Sequence, residues 1–152
     1  MLFEQKLEEL GIVLPPVGEP KYTYVPFRQA GEIVFFAGAV PRLPDGTYLT
    51  GKVGDDVSVE DGAEAARLCA LHILATAKSI TGSLADIEFL KVYGMVNATP
   101  DFQAHGVVLE GCSRLLVDVM GEQGQHARTA VGMGSLPVGI RVEIDAIAWV
   151  RN

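Results

Sequence analysis

Apolar and polar residues alternate through the C-terminal part of the chain. From residue 140 to residue 150 every second position is apolar: Ile140, Val142, Ile144, Ala146, Ala148 and Val150. Since neighbouring side chains of a strand point to opposite faces, this pattern predicts a strand with one buried face. The segment that begins near Arg128 predicts the partner strand of a β-hairpin that turns near Pro137. In that hairpin the side chains of Arg128 and Glu143 would share a face.

Helical periodicity predicts two elements in the first half of the chain. Residues 2–10 carry Leu and Phe at helical spacing among Glu and Lys, which is typical of a short amphipathic helix, and the prolines of residues 15–20 end it. Ser58 is the expected N-cap of a much longer helix, which Gly82 ends. That helix has a face of small and apolar residues that suits close packing on a sheet.

Aromatic and β-branched residues predict the remaining strands, since these residue types are enriched in strands. Thr99 is the expected cap of a second long helix, with Pro100 at its first position and Gly121 beyond its end. The order of elements predicts an α+β fold in which two helices pack on one face of a mixed sheet. The predicted strands before the hairpin are residues 22–27, 32–40, 48–53 and 88–96.

Length and composition indicate one domain in a reducing compartment. The 152 residues fit a single domain, with residues 1–20 as an N-terminal helix and Pro-rich connector and residues 21–152 as the core. No apolar run is long enough to cross a bilayer, and we expect neither a signal peptide nor membrane attachment. Cys69 and Cys112 lie in predicted helices outside any CxxC motif, which favours free thiols and a cytoplasmic location.

Charge and residue spacing narrow the class of ligand. A net charge of −7 disfavours a nucleic-acid binder, because neutralising phosphates requires a basic face. His72, His105 and His126 are not spaced as metal ligands, and the glycines near residues 121–134 do not follow the order strand, loop, helix of a phosphate cradle. We therefore expect no metal and no cofactor.

Arg128 and Glu143 are the residues whose pattern points to chemistry. Small residues surround Arg128, which leaves room beside a guanidinium that can bind a carboxylate through two parallel hydrogen bonds. A carboxylate such as Glu143 on the same face could hold a water. The alternative is an ordinary cross-strand ion pair between Arg128 and Glu143 or Asp145, which contributes little to stability. His126, two residues before Arg128, would face the same way.

Several motifs in one order extend this reading over most of the chain, from about Tyr24 to Val150. They are Tyr24, Gly31-Glu-Ile-Val-Phe-Phe-Ala-Gly38-Ala-Val-Pro41, Asp45-Gly46, Asn97-Ala-Thr-Pro-Asp-Phe102, Arg128-Thr-Ala-Val-Gly, Leu136-Pro137 and Val142-Glu143-Ile144. Together they resemble the RidA (YjgF/Rid) family of reactive-intermediate imine deaminases. The resemblance implies a chorismate-mutase-like α+β fold that assembles as a homotrimer with clefts between subunits.

The resemblance also implies a reaction and a set of site residues. Arg128 would hold the carboxylate of a small 2-imino or 2-enamino acid, and Glu143 would position the water that converts it to a 2-oxo acid and ammonia. Tyr24, Asn97 and Phe102 would line the cleft, and the backbone N–H of Ala130 would take part in binding.

The chain departs from the better-characterised family members at two positions near Arg128. Ala130 replaces a cysteine that is common in the family, and Ser135 replaces an arginine. These departures leave a second reading open, in which the same trimeric fold binds small carboxylates or 2-oxo acids without turnover. A third reading, an endoribonuclease or translation inhibitor, is disfavoured by the acidic composition and the lack of a basic, aromatic surface.

Overall fold

The computed structural model describes residues 2–151 and contains one five-stranded sheet. Within these residues, three helices and three short 3₁₀ turns connect and cover the strands. In chain order the helices and strands are α1 (Leu2–Glu9), β1 (Phe27–Ala30), β2 (Ile33–Phe36), α2 (Val59–Thr81), β3 (Ile87–Asn97), α3 (His105–Met120), β4 (Ala127–Met133) and β5 (Val142–Val150).

The sheet is mixed, with the strand order β1-β2-β5-β3-β4. β3 and β4 run parallel, and the other neighbouring pairs are antiparallel. Parallel neighbours need a long crossover connection, which α3 provides between β3 and β4. The predicted α+β class is therefore confirmed, and β4 lies at an edge of the sheet.

One face of the sheet packs against α2 and α3. The apolar positions predicted for β5 all face these helices and are buried, from Val142 to Val150, while the positions between them are half-buried. Helices α2 and α3 approach closely at Gly111, where an added Cβ would overlap the carbonyl oxygen of Ala63. The core consequently forms as a layer between two helices and one sheet face.

The two helices predicted in the first half of the chain are confirmed. α1 covers residues 2–9 of the predicted 2–10. At the start of α2 the side chain of Ser58 accepts a hydrogen bond from the amide of Asp61 at 3.1 Å. At its end Gly82 has φ 91°, and its N–H donates to the carbonyl of Lys78 at 2.8 Å. Both ends are fixed by signals that the sequence carries locally.

The predicted hairpin between Arg128 and Glu143 is wrong. β3 lies between β4 and β5, so these two strands share no hydrogen bonds. The connection between them contains a 3₁₀ turn at Pro137–Gly139, where Val138 has a φ of 50°, and it passes across the end of β3 instead of turning back on β4.

The second helix begins later than predicted. α3 starts at His105, and Thr99 does not cap it. The amide of Thr99 donates to the carbonyl of Val53 at 3.1 Å, and the carbonyl of Thr99 accepts from the amide of Phe102 at 3.1 Å. Thr99 is thus held in a turn by a loop distant in sequence, and the helix begins only after that turn.

Three predicted strands are also shorter than expected or lack strand structure. Residues 22–26 are irregular, and the strand predicted there begins only at Phe27. β2 occupies four residues of the predicted 32–40. The segment 48–53 forms only isolated bridges, including one between Thr50 and Ile140.

None of the helices within residues 2–151 is long and apolar enough to cross a membrane.

Candidate functional site

Arg128 projects from the edge strand β4 towards α3. Its register partner on β3 is Val92, which is fully buried on the face that the helices cover. Arg128 Nη1 donates to Glu110 Oε1 at 2.8 Å and to Ser113 Oγ at 3.2 Å. Among the hydrogen bonds of residues 2–151, none uses Nε or Nη2 of Arg128. One edge of the guanidinium is therefore available to a ligand, and the side chain is 25% exposed.

The free guanidinium edge lies beside Gly106, in the first turn of α3. A Cβ added to Gly106 would lie 3.4 Å from Arg128 Nη2. The N-cap residue of α3, Ala104, makes no side-chain hydrogen bond, so the first amides of the helix have no side-chain cap. A helix N-terminus carries a partial positive charge. Arg128 and the start of α3 together can therefore attract a carboxylate.

Ala130, a predicted site residue, lies beside Arg128 on β4, whereas Phe102, another, lies near a later part of the same strand. Ala130 follows Arg128 on the same face of β4, two residues along the strand. Two residues further on, a Cβ on Gly132 would meet the ring of His105. Phe102 packs edge-on against that ring, with 5.1 Å between the ring centroids. The structure thus places Arg128 and Ala130 close together, while Phe102 meets β4 only through His105, four residues along the strand from Arg128.

Glu143 lies on the opposite face of the sheet. Its chain neighbours on β5, Val142 and Ile144, are buried under the helices, so Glu143 points away from them. It packs tightly against Gly38, where an added Cβ would lie 3.0 Å from Glu143 Cδ. Burial raises the pKa of Glu143 above its ordinary value, and the charge of Asp145 raises it further. A carboxyl whose pKa moves towards neutrality can both accept and donate a proton.

Arg128 and Glu143 consequently do not meet within one chain. Their strands are separated by β3, about 10 Å of sheet at two strand spacings, and their side chains emerge on opposite faces. The prediction that they share a face is wrong because it depended on the hairpin. His126 does face the same side as Arg128, since both side chains contact Ser113.

Two other predicted site residues lie apart from Arg128. Tyr24 is 54% exposed in the irregular segment before β1. Asn97 is buried at the end of β3, where its amide donates to the carbonyl of Ile140 at 3.1 Å and its Oδ1 accepts from Lys52 Nζ at 2.8 Å. These contacts give Asn97 a structural role in tying the end of β3 to two connections.

Glu110, Ser113 and Lys52 contact the predicted site residues but were not identified from the sequence. Glu110 and Ser113 are three residues apart and so share a face of α3. That spacing could have marked them as a pair, although it gives no indication of which strand the face meets.

No group in the described part of the chain brings together three residues that could hold a metal ion. Cys69 and Cys112 are free and buried, and burial raises the pKa of the Cys112 thiol to about 12. The thiols are therefore protonated at neutral pH and poorly suited to act as nucleophiles.

The fold and the motif order define the class of protein, and comparison with known proteins agrees. Residues 4–144 match the model of the family described as "YjgF/chorismate mutase-like, putative endoribonuclease". The chain belongs to this family.

Particular relatives cover nearly the whole chain. Protein TCP17 of Trypanosoma cruzi is 36% identical over 148 residues, which is 96% of this chain and 92% of that protein. A crystal structure of a protein of unknown function from Agrobacterium tumefaciens is 41% identical, with a TM-score of 0.89, and the match covers 98% of this chain and 94% of that one. The structure of a "putative endoribonuclease" from Shewanella oneidensis is 28% identical, with a TM-score of 0.94 and coverage of 99% and 100%.

Proposed function

We propose that this protein hydrolyses small 2-imino or 2-enamino acids to 2-oxo acids and ammonia. The observation that carries the proposal is the free Nε–Nη2 edge of Arg128, which lies beside Gly106 at the start of α3. A guanidinium edge binds a carboxylate through two parallel hydrogen bonds, which also fixes the direction of the attached carbon. The site is thus suited to a short acid whose reactive carbon adjoins its carboxylate.

Glu143 is the group that assists the water in this proposal. The water oxygen adds to the imine carbon while Glu143 accepts one water proton and passes it to the imine nitrogen, which leaves a hydroxyl and an amino group on the same carbon. Glu143 then accepts the hydroxyl proton and delivers it to the amino nitrogen, so that the carbon–nitrogen bond breaks, ammonia leaves and the carbonyl forms. The raised pKa of Glu143 supports a carboxyl that exchanges protons readily in both steps. An imine is already electrophilic, so this modest assistance suffices.

The separation of Arg128 and Glu143 favours a site formed between two copies of the chain. Glu143 lies on the sheet face away from the helices, which also carries apolar side chains that are only partly buried. An apolar sheet face of this kind is typical of an interface. We propose that a homotrimer covers it and brings Glu143 of one subunit to Arg128 of another. The apolar residues of this face include Ile33, Phe35, Tyr93, Met95, Val131, Ile147 and Trp149.

The experiment that tests the reaction measures ammonia and 2-oxo acid release from freshly generated 2-iminopropanoate and 2-iminobutanoate. We expect acceleration over the rate in buffer, which Arg128→Ala abolishes together with ligand binding. Glu143→Ala should abolish turnover and retain binding. Wild-type protein that gives no acceleration but binds 2-oxopropanoate would favour the alternative of a carboxylate-binding protein, since Arg128 alone suffices for binding.

The shared site is tested by mixing the two inactive variants. Arg128→Ala and Glu143→Ala subunits, unfolded together and refolded, should recover about a quarter of wild-type activity if each site takes one residue from each of two subunits. A site contained in one chain would recover none. Sedimentation of the wild-type protein gives the number of subunits directly.

An endoribonuclease activity, which the descriptions of some relatives name, fits this chain less well. Its net charge is −7, whereas RNA binding requires a positively charged surface. The small site at Arg128 offers one cation instead of a basic groove.

A further inference from the structure

Arg128 belongs to a chain of hydrogen bonds that extends through α3 to the start of β4. Ser113 Oγ lies 3.2 Å from Arg128 Nη1 and 2.8 Å from His126 Nε2. His126 Nδ1 lies 2.7 Å from the carbonyl oxygen of Gly124. That carbonyl can only accept, so Nδ1 carries the proton, and in the neutral ring Nε2 accepts from the hydroxyl of Ser113. The lone pairs of Ser113 are thereby turned towards Arg128.

A second arginine, Arg114, holds the carboxylate oxygen of Glu110 that does not contact Arg128. Glu110 Oε1 accepts from Arg128, and Glu110 Oε2 accepts from Arg114 Nε at 3.1 Å. Burial would raise the pKa of Glu110, but the hydrogen bonds and charges of Arg128 and Arg114 outweigh it and lower the pKa below its ordinary value. Glu110 is therefore an anion between two cations, and the three side chains together keep one net positive charge.

We propose that Glu110 and Ser113 position Arg128 by engaging Nη1, so that the Nε–Nη2 edge is presented to the carboxylate of the substrate. This inference rests on the proposed function, because it assigns to these residues the orientation of the substrate-binding group. Arginine has several rotatable bonds, and fixing one nitrogen reduces the entropy that is lost when a ligand binds the others. Glu110 and Ser113 are positioning residues and do not touch the substrate.

The alternative role for Glu110 is that of a competitor, whose carboxylate occupies Arg128 in place of the carboxylate of the ligand. The geometry favours positioning, because Glu110 engages a single nitrogen and leaves the opposite edge free. The two roles predict opposite effects on affinity. Neutralising a competitor tightens binding, whereas removing a positioning residue weakens it.

The test measures the Kd of 2-oxopropanoate by calorimetry, and KM and kcat for 2-iminopropanoate, in the full-length protein. Glu110→Ala should raise Kd and KM about tenfold, the scale of one charge-assisted hydrogen bond, with kcat changed less than about twofold. Glu110→Gln keeps an oxygen acceptor and should give an intermediate increase. Ser113→Ala should raise Kd by a smaller factor. All should keep the wild-type melting temperature within a few degrees, because the pair is partly exposed.

Glu9→Ala is the control. Glu9 forms an exposed ion pair, 3.6 Å from Lys6, on α1 and away from both Arg128 and the sheet face that carries Glu143. It should leave Kd unchanged. The inference is overturned if Glu110→Ala matches this control, or if Glu110→Gln binds 2-oxopropanoate more tightly than wild type. If Arg128→Ala still binds 2-oxopropanoate, the proposed function fails as well. Failure of the positioning role alone is therefore distinguishable from failure of the proposed function.

Discussion

Because Gly38 is in contact with Glu143, substituting Gly38 by alanine tests whether the position of the Glu143 carboxylate matters for turnover. Residue 39 pairs with Ile144 through two backbone hydrogen bonds of 2.7 and 3.1 Å, which hold Gly38 beside Glu143. A Cβ at residue 38 would lie 3.0 Å from Glu143 Cδ, 3.1 Å from Cγ and 3.2 Å from Oε1. Gly38→Ala therefore forces the carboxylate to move. The backbone tolerates alanine there, because the φ of Gly38 is not positive.

The size of the effect follows from these distances. Contacts of 3.0–3.2 Å are tighter than ordinary Cβ contacts, so the flexible side chain of Glu143 must move by a few tenths of an ångström. A misplacement of about 1 Å in a catalytic group can lower the rate on the order of a hundredfold, and this smaller displacement should have a smaller effect. We expect Gly38→Ala to lower kcat about three- to tenfold. This corresponds to about 0.6–1.4 kcal/mol in the activation free energy. The Kd of 2-oxopropanoate, which depends on Arg128, should change little.

The assay compares Gly38→Ala with Gly134→Ala in steady-state deamination of 2-iminopropanoate. Gly134 is a suitable control because a Cβ there has no neighbour within 4 Å and its φ is also not positive. Both variants should keep the wild-type free energy of unfolding within about 1 kcal/mol. Equal kcat values in the two variants would refute the reasoning, since they would mean that the position of Glu143 against Gly38 has no part in turnover.

Three further predictions concern stability and reactivity. The fold raises the pKa of Glu143, so the stability that this group contributes is present below its unfolded pKa and is lost as pH rises through its folded pKa. Glu143→Gln should therefore raise the melting temperature at pH 7 and lose that advantage near pH 4. A difference in melting temperature that does not change with pH would contradict this. Gly111→Ala should destabilise the protein by about 1–3 kcal/mol in urea unfolding, because its Cβ would overlap the carbonyl of Ala63, and a gain in stability would argue against the close helix contact. Cys69 and Cys112 should resist a disulfide reagent at pH 8 in the folded protein, because both thiols are buried and their pKa values are raised. They should react after denaturation. Rapid labelling of the folded protein would show that the thiols are not buried.

The elements that the sequence predicts well carry their signals locally. Ser58 and Gly82 mark the ends of α2 with residue types that favour caps wherever a helix ends. The alternation in β5 is equally local, since burial of one face requires a period of two. In each case the same few residues provide both the signal and the structure.

The hairpin could not be rejected from the sequence because the competing partner is distant. Residues 128–133 and 142–150 resemble two adjacent strands, but β3, about forty residues earlier, inserts between them once α3 has crossed the sheet. The predicted start of α3 was wrong for a similar reason. A hydrogen bond from the amide of Thr99 to the carbonyl of Val53, which is distant in sequence, holds Thr99 in a turn. Pairing between distant segments decided both outcomes.

The candidate site shows the same division between local and distant signals. Arg128 could be singled out from its small neighbours and its resemblance to a family motif. Its partners Glu110 and Ser113 could not, because their role depends on how α3 packs against β4. The separation of Arg128 from Glu143 also required the strand order.

The position of β5 has a consequence for how the protein can fold during synthesis. β5 is the middle strand of the sheet, yet it follows every other strand in the chain. Until residues 142–150 have left the ribosome, the pair β1–β2 and the pair β3–β4 have no strand to join them. Pairing between segments so distant in sequence is slow, and unpaired strand edges promote aggregation. The nascent chain therefore exposes two incomplete half-sheets, which makes it a candidate for chaperone binding until β5 emerges.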